Sequence, residues 1–458
     1  MKVMRMRAVH VTFCVIFLIA VFATGTSDNP LMEENNLEYN CSKQELSVNI
    51  SESVIQTIGE NFLSSPLIIC LFLQANQIQS IKKGAFDSLP ALEYLNIAGN
   101  RLTNLISFGG HENLKTLILA NQSSHYGGTF QISGKYPQLR YLDLSGNQIR
   151  SIDWTMKKND DYQDSDMLVY DIFPKLQILD LSYNALESWF VSEVSLFNLT
   201  HLFLQSNHLR RVNIQKLKNL IVLIADNNNI DNLYRQCYGN YMCVSDMPKL
   251  KYFSISNNNL YRLERDVFNF MPELAALDLS SNKLTDDIYG VFHYLTSLEA
   301  LKLDNNQLTN VSLFENLVQL SSLSLNNNNI KYIDSEDLMN TQNLRKLYLN
   351  HNKIKNIHKN AFVPLDLLEE LHLANNDLNN FPAKWSDNLR SLRFLNLIGN
   401  NFMYLESLSL SDTLPLISID LLNNPIISFT SKILRDLPEN VTINLIHHQR
   451  NIALDTSV

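Results

Sequence analysis

Apolar residues recur along this chain in a fixed short pattern, clearest in Leu274-Ala-Ala-Leu277-Asp-Leu279-Ser-Ser-Asn282-Lys-Leu284. By position the unit reads L-x-x-L-x-L-x-x-N-x-L. Positions four and six alternate with a variable residue, so they turn one face of a short strand into a core and leave the other outward. Aligning on position one gives Ile68, Leu92, Leu114, Leu139, Leu176, Leu199, Leu220, Leu250, Leu274, Leu298, Leu320, Leu344, Leu368, Leu392 and Leu416, fifteen units in all. The spacing is 24 from Leu274 to Leu298, 22 to Leu320, and 24 for every later step. One unit cannot bury its leucines alone, so the pattern predicts turns stacked into a quasi-one-dimensional solenoid.

The polar positions sharpen this picture. Asparagine holds position nine in fourteen units, from Asn76 to Asn424. Its amide both donates and accepts, which suits it to backbone groups of adjacent turns that would otherwise be buried unpaired. Gln122 stands there in the third unit, and a local irregularity is expected at that turn. Two steps are long. That from Leu139 to Leu176 is 37 residues, with its excess near 155–171, an acidic stretch around Asp160–Asp166; that from Leu220 to Leu250 is 30, with its excess near 234–246. A stacked core cannot absorb insertions, so both are expected as outward loops. The second carries Tyr234, Tyr238, Tyr241, Cys237 and Cys243, which would make a rigid, aromatic protrusion. Phe86, Phe268, Phe292, Phe314 and Phe362 each lie six residues before the next unit and are expected as core filler.

The flanks differ from the lattice. Lys2, Arg5 and Arg7 precede an apolar run from Val11 to Phe22 and then small residues, the layout of a secretory signal peptide over 1–25. Residues 26–67 are expected as a polar linker and cap, with Leu46–Ile50 alternating like an edge strand. The repeats occupy 68–430. In 431–458, Val441–Leu445 alternates in the same way as a C-terminal cap, and the polar tail from His447 is expected to fray.

Charge and cysteine content narrow the setting. The chain carries a net charge of −9, and loss of the leader with its three cations takes this to −12. That argues against nucleic acid or an anionic membrane as partner. No other apolar run reaches spanning length, so the mature chain is expected to be extracellular without a membrane span. Outside the leader remain Cys41, Cys70, Cys237 and Cys243, an even number that suggests disulfides in a secreted protein. Three connectivities are open; the favoured one pairs Cys41 with Cys70 and Cys237 with Cys243. Sequons lie at Asn40, Asn49, Asn121, Asn198, Asn310 and Asn440, and glycosylation is expected at some of Asn49, Asn121, Asn198, Asn310 and Asn440.

Function should sit on positions three, five and seven, which project from the inner sheet. Fifteen strands about 4.8 Å apart make an arc roughly 70 Å long, enough for a protein partner. These positions hold Tyr94, Tyr141, Asp143, Asp180, Phe203, Tyr252, Asp278, Asp304, Tyr348, His372 and Phe394. Aromatics interleaved with carboxylates are the composition of an interface, here one for a protein of basic character. Strand propensity alone also favours Tyr and Phe at half-exposed positions, and that reading stands beside the functional one. The motifs G-x-S-x-G, H-E-x-x-H, G-x-x-x-x-G-K and C-x-x-C are absent, and His351, His358 and His372 do not share one face. The expectation is therefore no enzyme, no metal and no cofactor.

The repeated unit resembles that of the extracellular leucine-rich repeat superfamily, which implies an α/β solenoid of about fifteen repeats: a horseshoe with a parallel inner, concave sheet. A leader, a cysteine-poor cap, tyrosine-rich inner positions and asparagine-rich repeats such as Leu325-Asn-Asn-Asn328-Asn-Ile330 also resemble the mosquito leucine-rich immune proteins. That family implies circulation in haemolymph and a complement-like thioester protein as partner. Its C-terminal coiled coil and preceding cysteines are missing after Leu445, so a coil-less member is the expectation and dimerisation through a coil is not implied. The expected function is innate immune recognition or complement-like regulation through the concave face. Two alternatives stay open: a soluble adhesion or developmental-signalling ectodomain bound to a cell-surface receptor, and an enzyme inhibitor acting by concave capture.

Overall fold

A computed structural model describes residues 41, 46–102, 108–123, 128–131, 134–153, 172–190, 196–215, 217–236, 241–244, 246–312, 314, 316–411, 413–430, 437, 441–445 and 453–455. The leader, Asn40, the 155–171 insertion, Cys237, Tyr238 and Asn440 lie outside the described residues. The chain packs as two compact units. The first comprises 1–125, 131–147 and 154–176, and the second 126–130, 148–153 and 177–458.

Each of the fifteen aligned repeats supplies one three-residue strand, from Cys70–Phe72 in the first to Ser418–Asp420 in the last. Within each unit these strands pair in parallel and in register, position four against position four, as in Leu277 opposite Leu301. The solenoid expected from the sequence is thus present. Its return segments are turns, with two short 3-10 helices, Asp286–Ile288 and Leu405–Leu408, among the described residues. Leucines at positions four and six are sealed off from water: Leu277, Leu279, Leu347 and Leu349 are all at 0% exposure.

The asparagine of position nine joins neighbours by three bonds. Asn306 donates from Nδ2 to the carbonyls of Leu279 in the preceding repeat (3.0 Å) and Leu303 in its own (3.1 Å). Its Oδ1 accepts from the Leu284 amide at 3.0 Å. The irregularity expected at Gln122 is corrected. Its longer side chain reproduces the set, donating to Ile97 and Leu119 carbonyls at 3.1 and 3.2 Å and accepting from the Leu102 amide at 3.2 Å.

Position eight obeys a rule that hydrophobic patterning does not reveal. In all fifteen repeats, from Ala75 through Tyr183, Asn257 and His351 to Asn423, this residue has φ between 50° and 69°. Left-handed backbone reverses the chain as it leaves the strand, and asparagine tolerates it better than other side chains apart from glycine. That explains runs such as Asn326-Asn327-Asn328, in which Asn327 turns the chain and Asn328 bonds its neighbours.

The aromatic filler is core, as expected. Phe86, Phe108, Tyr136 and Phe173 follow one another in the first unit at ring separations of 5.3, 6.0 and 5.6 Å. Phe268, Phe292 and Phe314 do so in the second at 6.2 and 6.1 Å.

At the N-terminal edge Ser47–Asn49 pairs in parallel with Cys70–Phe72, and a disulfide joins Cys41 to Cys70. At the other end Thr442–Asn444 pairs with Ser418–Asp420. Two expectations need correction. Part of the tail is a strand, Ala453–Asp455, paired with Ser428–Thr430, because its Ala-Leu-Asp triplet repeats the strand pattern. The 234–246 insertion is not simply displaced outward either. Its Met242–Cys243 forms a strand inserted between Arg211–Asn213 and Asn232–Tyr234 in a second parallel sheet that also holds Ser188–Phe190 and Arg262–Leu263. Met242 and Cys243 are buried at 0% and 1%, so this part of the insertion adds apolar surface to the core instead of leaving it. Cys243 is disulfide-bonded.

Candidate protein-binding face

A strand of three residues ends abruptly, and the amide of position seven then needs an acceptor that the neighbouring strand does not supply. The sheet-face side chains supply it. Asp143 accepts from the Ser145 amide at 2.9 Å, Asp180 from Ser182 at 2.8 Å and Asp278 from Ser280 at 2.9 Å. Asn96 and Asn396 do the same for Ala98 and Ile398. Elsewhere the acceptor comes from position seven of the preceding repeat: Asp226 for Ser256, Asp304 for Asn326, Asn326 for Asn350 and Asn350 for Ala374, all at 2.7 or 2.8 Å. Asp226 and Asp304 also take the hydroxyls of Ser254 and Ser324 at 2.6 Å.

This arrangement separates the residues named from sequence into two groups. Asp143, Asp180, Phe203, Tyr252 and Asp278 lie on the sheet face as expected but are buried, with at most 8% exposure. Parallel neighbours crowd them, and the carboxylates fold back onto backbone amides. Asp304 is half-buried in the same service. Burial pushes Asp226 up to about 6, helped by the nearby Asp278, and raises Asp304. Lys302 stands among Asp278, Asp304 and Asp226, and burial lowers it against their pull.

In the first unit Tyr94 and Tyr141 are half-buried, Tyr94 resting on Phe72 at 5.2 Å.

Repeats twelve to fourteen are different. Tyr348 stacks on His372, with centroids 4.7 Å apart and planes 20° from parallel. The Tyr348 hydroxyl donates to Glu370 at 3.3 Å, Lys346 pairs with Glu370 at 3.0 Å, and His372 Nε2 lies 3.4 Å from the same carboxylate. Beside them Phe394 is 40% exposed. Burial and Glu370 raise the Tyr348 phenol, and burial lowers His372 despite the carboxylate. For Glu370, burial acts upward but Lys346 outweighs it, and the carboxyl is held below its usual range. Tyr348, His372 and Phe394 are thus brought together, and the bonds among Tyr348, His372, Lys346 and Glu370 run between side chains, leaving the backbone amides to others.

The signal missed in the sequence is local. Asp-Leu-Ser recurs as Asp143-Leu-Ser145, Asp180-Leu-Ser182 and Asp278-Leu-Ser280. It marks a strand-end cap, whereas Lys346 and Glu370 mark the half-buried side-chain network.

Of the loop tyrosines, Tyr234 and Tyr241 face each other at 4.6 Å. Among the sequons Asn49, Asn121 and Asn198 are exposed, while Asn310 is half-buried and donates to Asp286 at 3.1 Å. Among the described residues no group of three or more His, Cys, Asp or Glu is arranged to hold a metal ion, and no helix is long and apolar enough to cross a membrane.

A leucine rich repeat family model matches residues 70–123, 248–308, 309–354 and 342–402, and a second matches 138–158. The chain belongs to the leucine-rich repeat proteins. It is 37% identical over 84 residues to transforming growth factor beta activator LRRC32 of Mus musculus, a stretch that is 17% of this chain and 13% of that protein. Among solved structures it is similar to a leucine-rich repeat protein of Leptospira interrogans, at 21% identity and a TM-score of 0.57, covering 87% of this chain and 95% of that one. It is likewise similar to a chain of the Toll–Spatzle complex of Drosophila, at 21% identity and a TM-score of 0.53, covering 85% of this chain and 45% of that one. At such identity both speak to the fold alone.

Proposed function

We propose that this chain is a secreted, non-catalytic recognition protein of innate immunity that binds another protein through the sheet face of repeats twelve to fourteen. One observation carries the reading: there, and not in the capped repeats before them, a stacked Tyr348–His372 pair, an ion pair and the exposed Phe394 form one preorganised patch. Rigid aromatic anchors surrounded by satisfied polar groups are what binding hot spots are made of. The net charge of −9 favours a partner of basic character. The leader-like start and the resemblance to mosquito leucine-rich immune proteins support secretion and a complement-like thioester protein as that partner. The likeness to a stretch of a growth-factor activator supports the second reading, a receptor-like ectodomain.

The test places a photocrosslinking amino acid at Phe394 in the mature chain and exposes it to extracellular fluid, with Tyr348→Ala as control. A thioester protein captured at Phe394, and lost with Tyr348→Ala by about 2 kcal/mol of binding, supports the first reading. A cell-surface receptor supports the second, and a protease would make the chain an inhibitor. Capture that ignores Tyr348 removes this face from consideration.

A further inference from the structure

The row of turn residues at position eight changes character around Asn121. Glycine stands in this row only at 99, 146 and 399, and the first two flank Asn121 in the preceding and following repeats. A Cβ at position 146 would collide with the Asn121 side-chain oxygen. Elsewhere an asparagine of the row leans on the residue before it: Asn257 donates to Asn227, and Asn375 to His351. Asn121 has no such side chain on either side. It is exposed, its backbone amide donates to the Ser145 carbonyl at 2.8 Å, and its side-chain nitrogen makes no hydrogen bond among the described residues.

Asn121-Gln-Ser123 is a sequon. So is Asn49-Ile-Ser51 at the N-terminal edge of the sheet, where Asn49 is exposed and lies in register with Phe72. The Asn49 side-chain oxygen accepts from the Ser51 amide at 2.9 Å, and its side-chain nitrogen is likewise unengaged among the described residues. Asn310-Val-Ser312 differs. Asn310 is half-buried and its side-chain nitrogen donates to Asp286 at 3.1 Å. The same carboxylate accepts from the Thr309 amide at 2.9 Å and from the Thr309 hydroxyl, so the asparagine is one part of a closed set of bonds.

We propose that Asn49 and Asn121 carry N-linked glycans and that Asn310 stays unmodified in the folded chain. The assignment rests on the reading of the chain as secreted. The donor is a polyprenyl-pyrophosphate-linked oligosaccharide of the secretory pathway. The asparagine nitrogen forms a bond to the anomeric carbon of the first sugar while that carbon's bond to the pyrophosphate oxygen breaks; the lipid pyrophosphate leaves, and the nitrogen gives up one proton. At Asn49 and Asn121 the fold makes no use of the nitrogen that is consumed. A sugar on Asn310 would have to displace Asp286 and open its bonds to Thr309, so chains modified there drop out of the folded, secreted population. Carbohydrate then falls on the first unit, at the sheet edge and in the turn row, while repeats twelve to fourteen contain no sequon. A bulky, hydrated glycan keeps protein partners off the surface it covers, which leaves the sequon-free repeats as the open part of the sheet face.

The experiment expresses the full chain in mammalian cells behind a heterologous secretory leader and, in parallel, behind its own residues 1–25. Protein from the medium is treated with peptide-N-glycosidase in heavy-oxygen water, which turns each formerly glycosylated asparagine into a labelled aspartate, and its peptides are mapped by mass spectrometry. Label at Asn49 and Asn121 and none at Asn310 is expected. Ser123→Ala, which leaves Asn121 itself in place, should lower the mass of the intact protein by one glycan with an unchanged circular dichroism spectrum. An unlabelled Asn49 or Asn121, or a labelled Asn310, overturns the proposal. Failure to reach the medium behind its own leader alone would refute secretion, while the site assignment is still decided on the other chain.

Discussion

Repeats eight to eleven and repeats twelve to fourteen share one leucine lattice and one asparagine network, yet their sheet faces end in different states. In the earlier group the polar side chains turn inward: Asp278 and Asp304 accept from backbone amides, and Ser254 and Ser324 hand their hydroxyls to carboxylates. In the later group Asn350 and Asn396 take over that task, which leaves Lys346, Tyr348, Glu370 and His372 to bond one another. The difference teaches that a residue's place on the face does not determine its availability. What determines it is whether another side chain already serves the adjacent amide.

Breaking the shared part should have the largest effect. Asn306→Ala removes three buried bonds and strands the Leu284 amide and two carbonyls, so a loss of about 3 kcal/mol is expected. Urea unfolding measures it, and a loss below about 1 kcal/mol would mean that water replaces the amide.

The next effect is electrostatic and lies just before the earlier group, at the repeat-seven carboxylate that serves the first amide of that group. Burial and Asp278 raise Asp226 to about 6 in the folded chain, against about 3.9 unfolded. A raised carboxyl favours the folded state while protonated, so its contribution is complete below about pH 3.9 and is lost as pH rises through about 6. Asp226→Asn should retain the Ser254 and Ser256 contacts and abolish this loss. The gain over wild type should be about 3 kcal/mol at pH 7 and near zero at pH 4. Equal stabilities of the two proteins at both pH values would show that the carboxyl is not desolvated.

Asp304→Ala sharpens the contrast directly. It frees the Asn326 amide at the edge of solvent and should cost about 1 kcal/mol of stability, with no change in partner affinity, whereas Tyr348→Ala should do the reverse. Parallel unfolding and binding titrations of the two variants decide it.

Smallest is the turn residue. Ser281 and His351 share φ = 55°. Glycine at position 281 should stabilise by roughly 0.5 kcal/mol. At 351 it should gain less, because His351 Nε2 also accepts from the Asn375 side-chain amide at 3.2 Å. Calorimetry resolves the order, and an equal gain at both would discount that contact.

The lattice was legible because its period is fixed: fifteen apolar registers predicted fifteen strands, and position nine announced its bonding role. Cys41 and Cys70 were legible as a pair because one precedes and the other opens the first repeat. The turn rule at position eight was hidden behind composition. Ala75, Tyr183 and His351 satisfy it without being glycine or asparagine, since the bonds on either side force the backbone. Tyr-Met-Cys-Val at 241–244 is too short for an alternation to be read, and what makes it a strand is the gap between Arg211–Asn213 and Asn232–Tyr234 that it fills. Inner-face burial was misjudged for Asp180 and Tyr252 because alternation gives direction only, while accessibility depends on what the flanking strands bring alongside.

The asparagine network ties each turn only to the ones beside it. Tension applied at the C-terminal end would therefore peel the coil away one turn after another, like a zipper drawn from its last tooth. A ligand gripping Lys346, Tyr348, His372 and Phe394 spans three successive teeth. Its first mechanical consequence would be a splint: the resistance of the last turns to peeling would register whether the ligand is present.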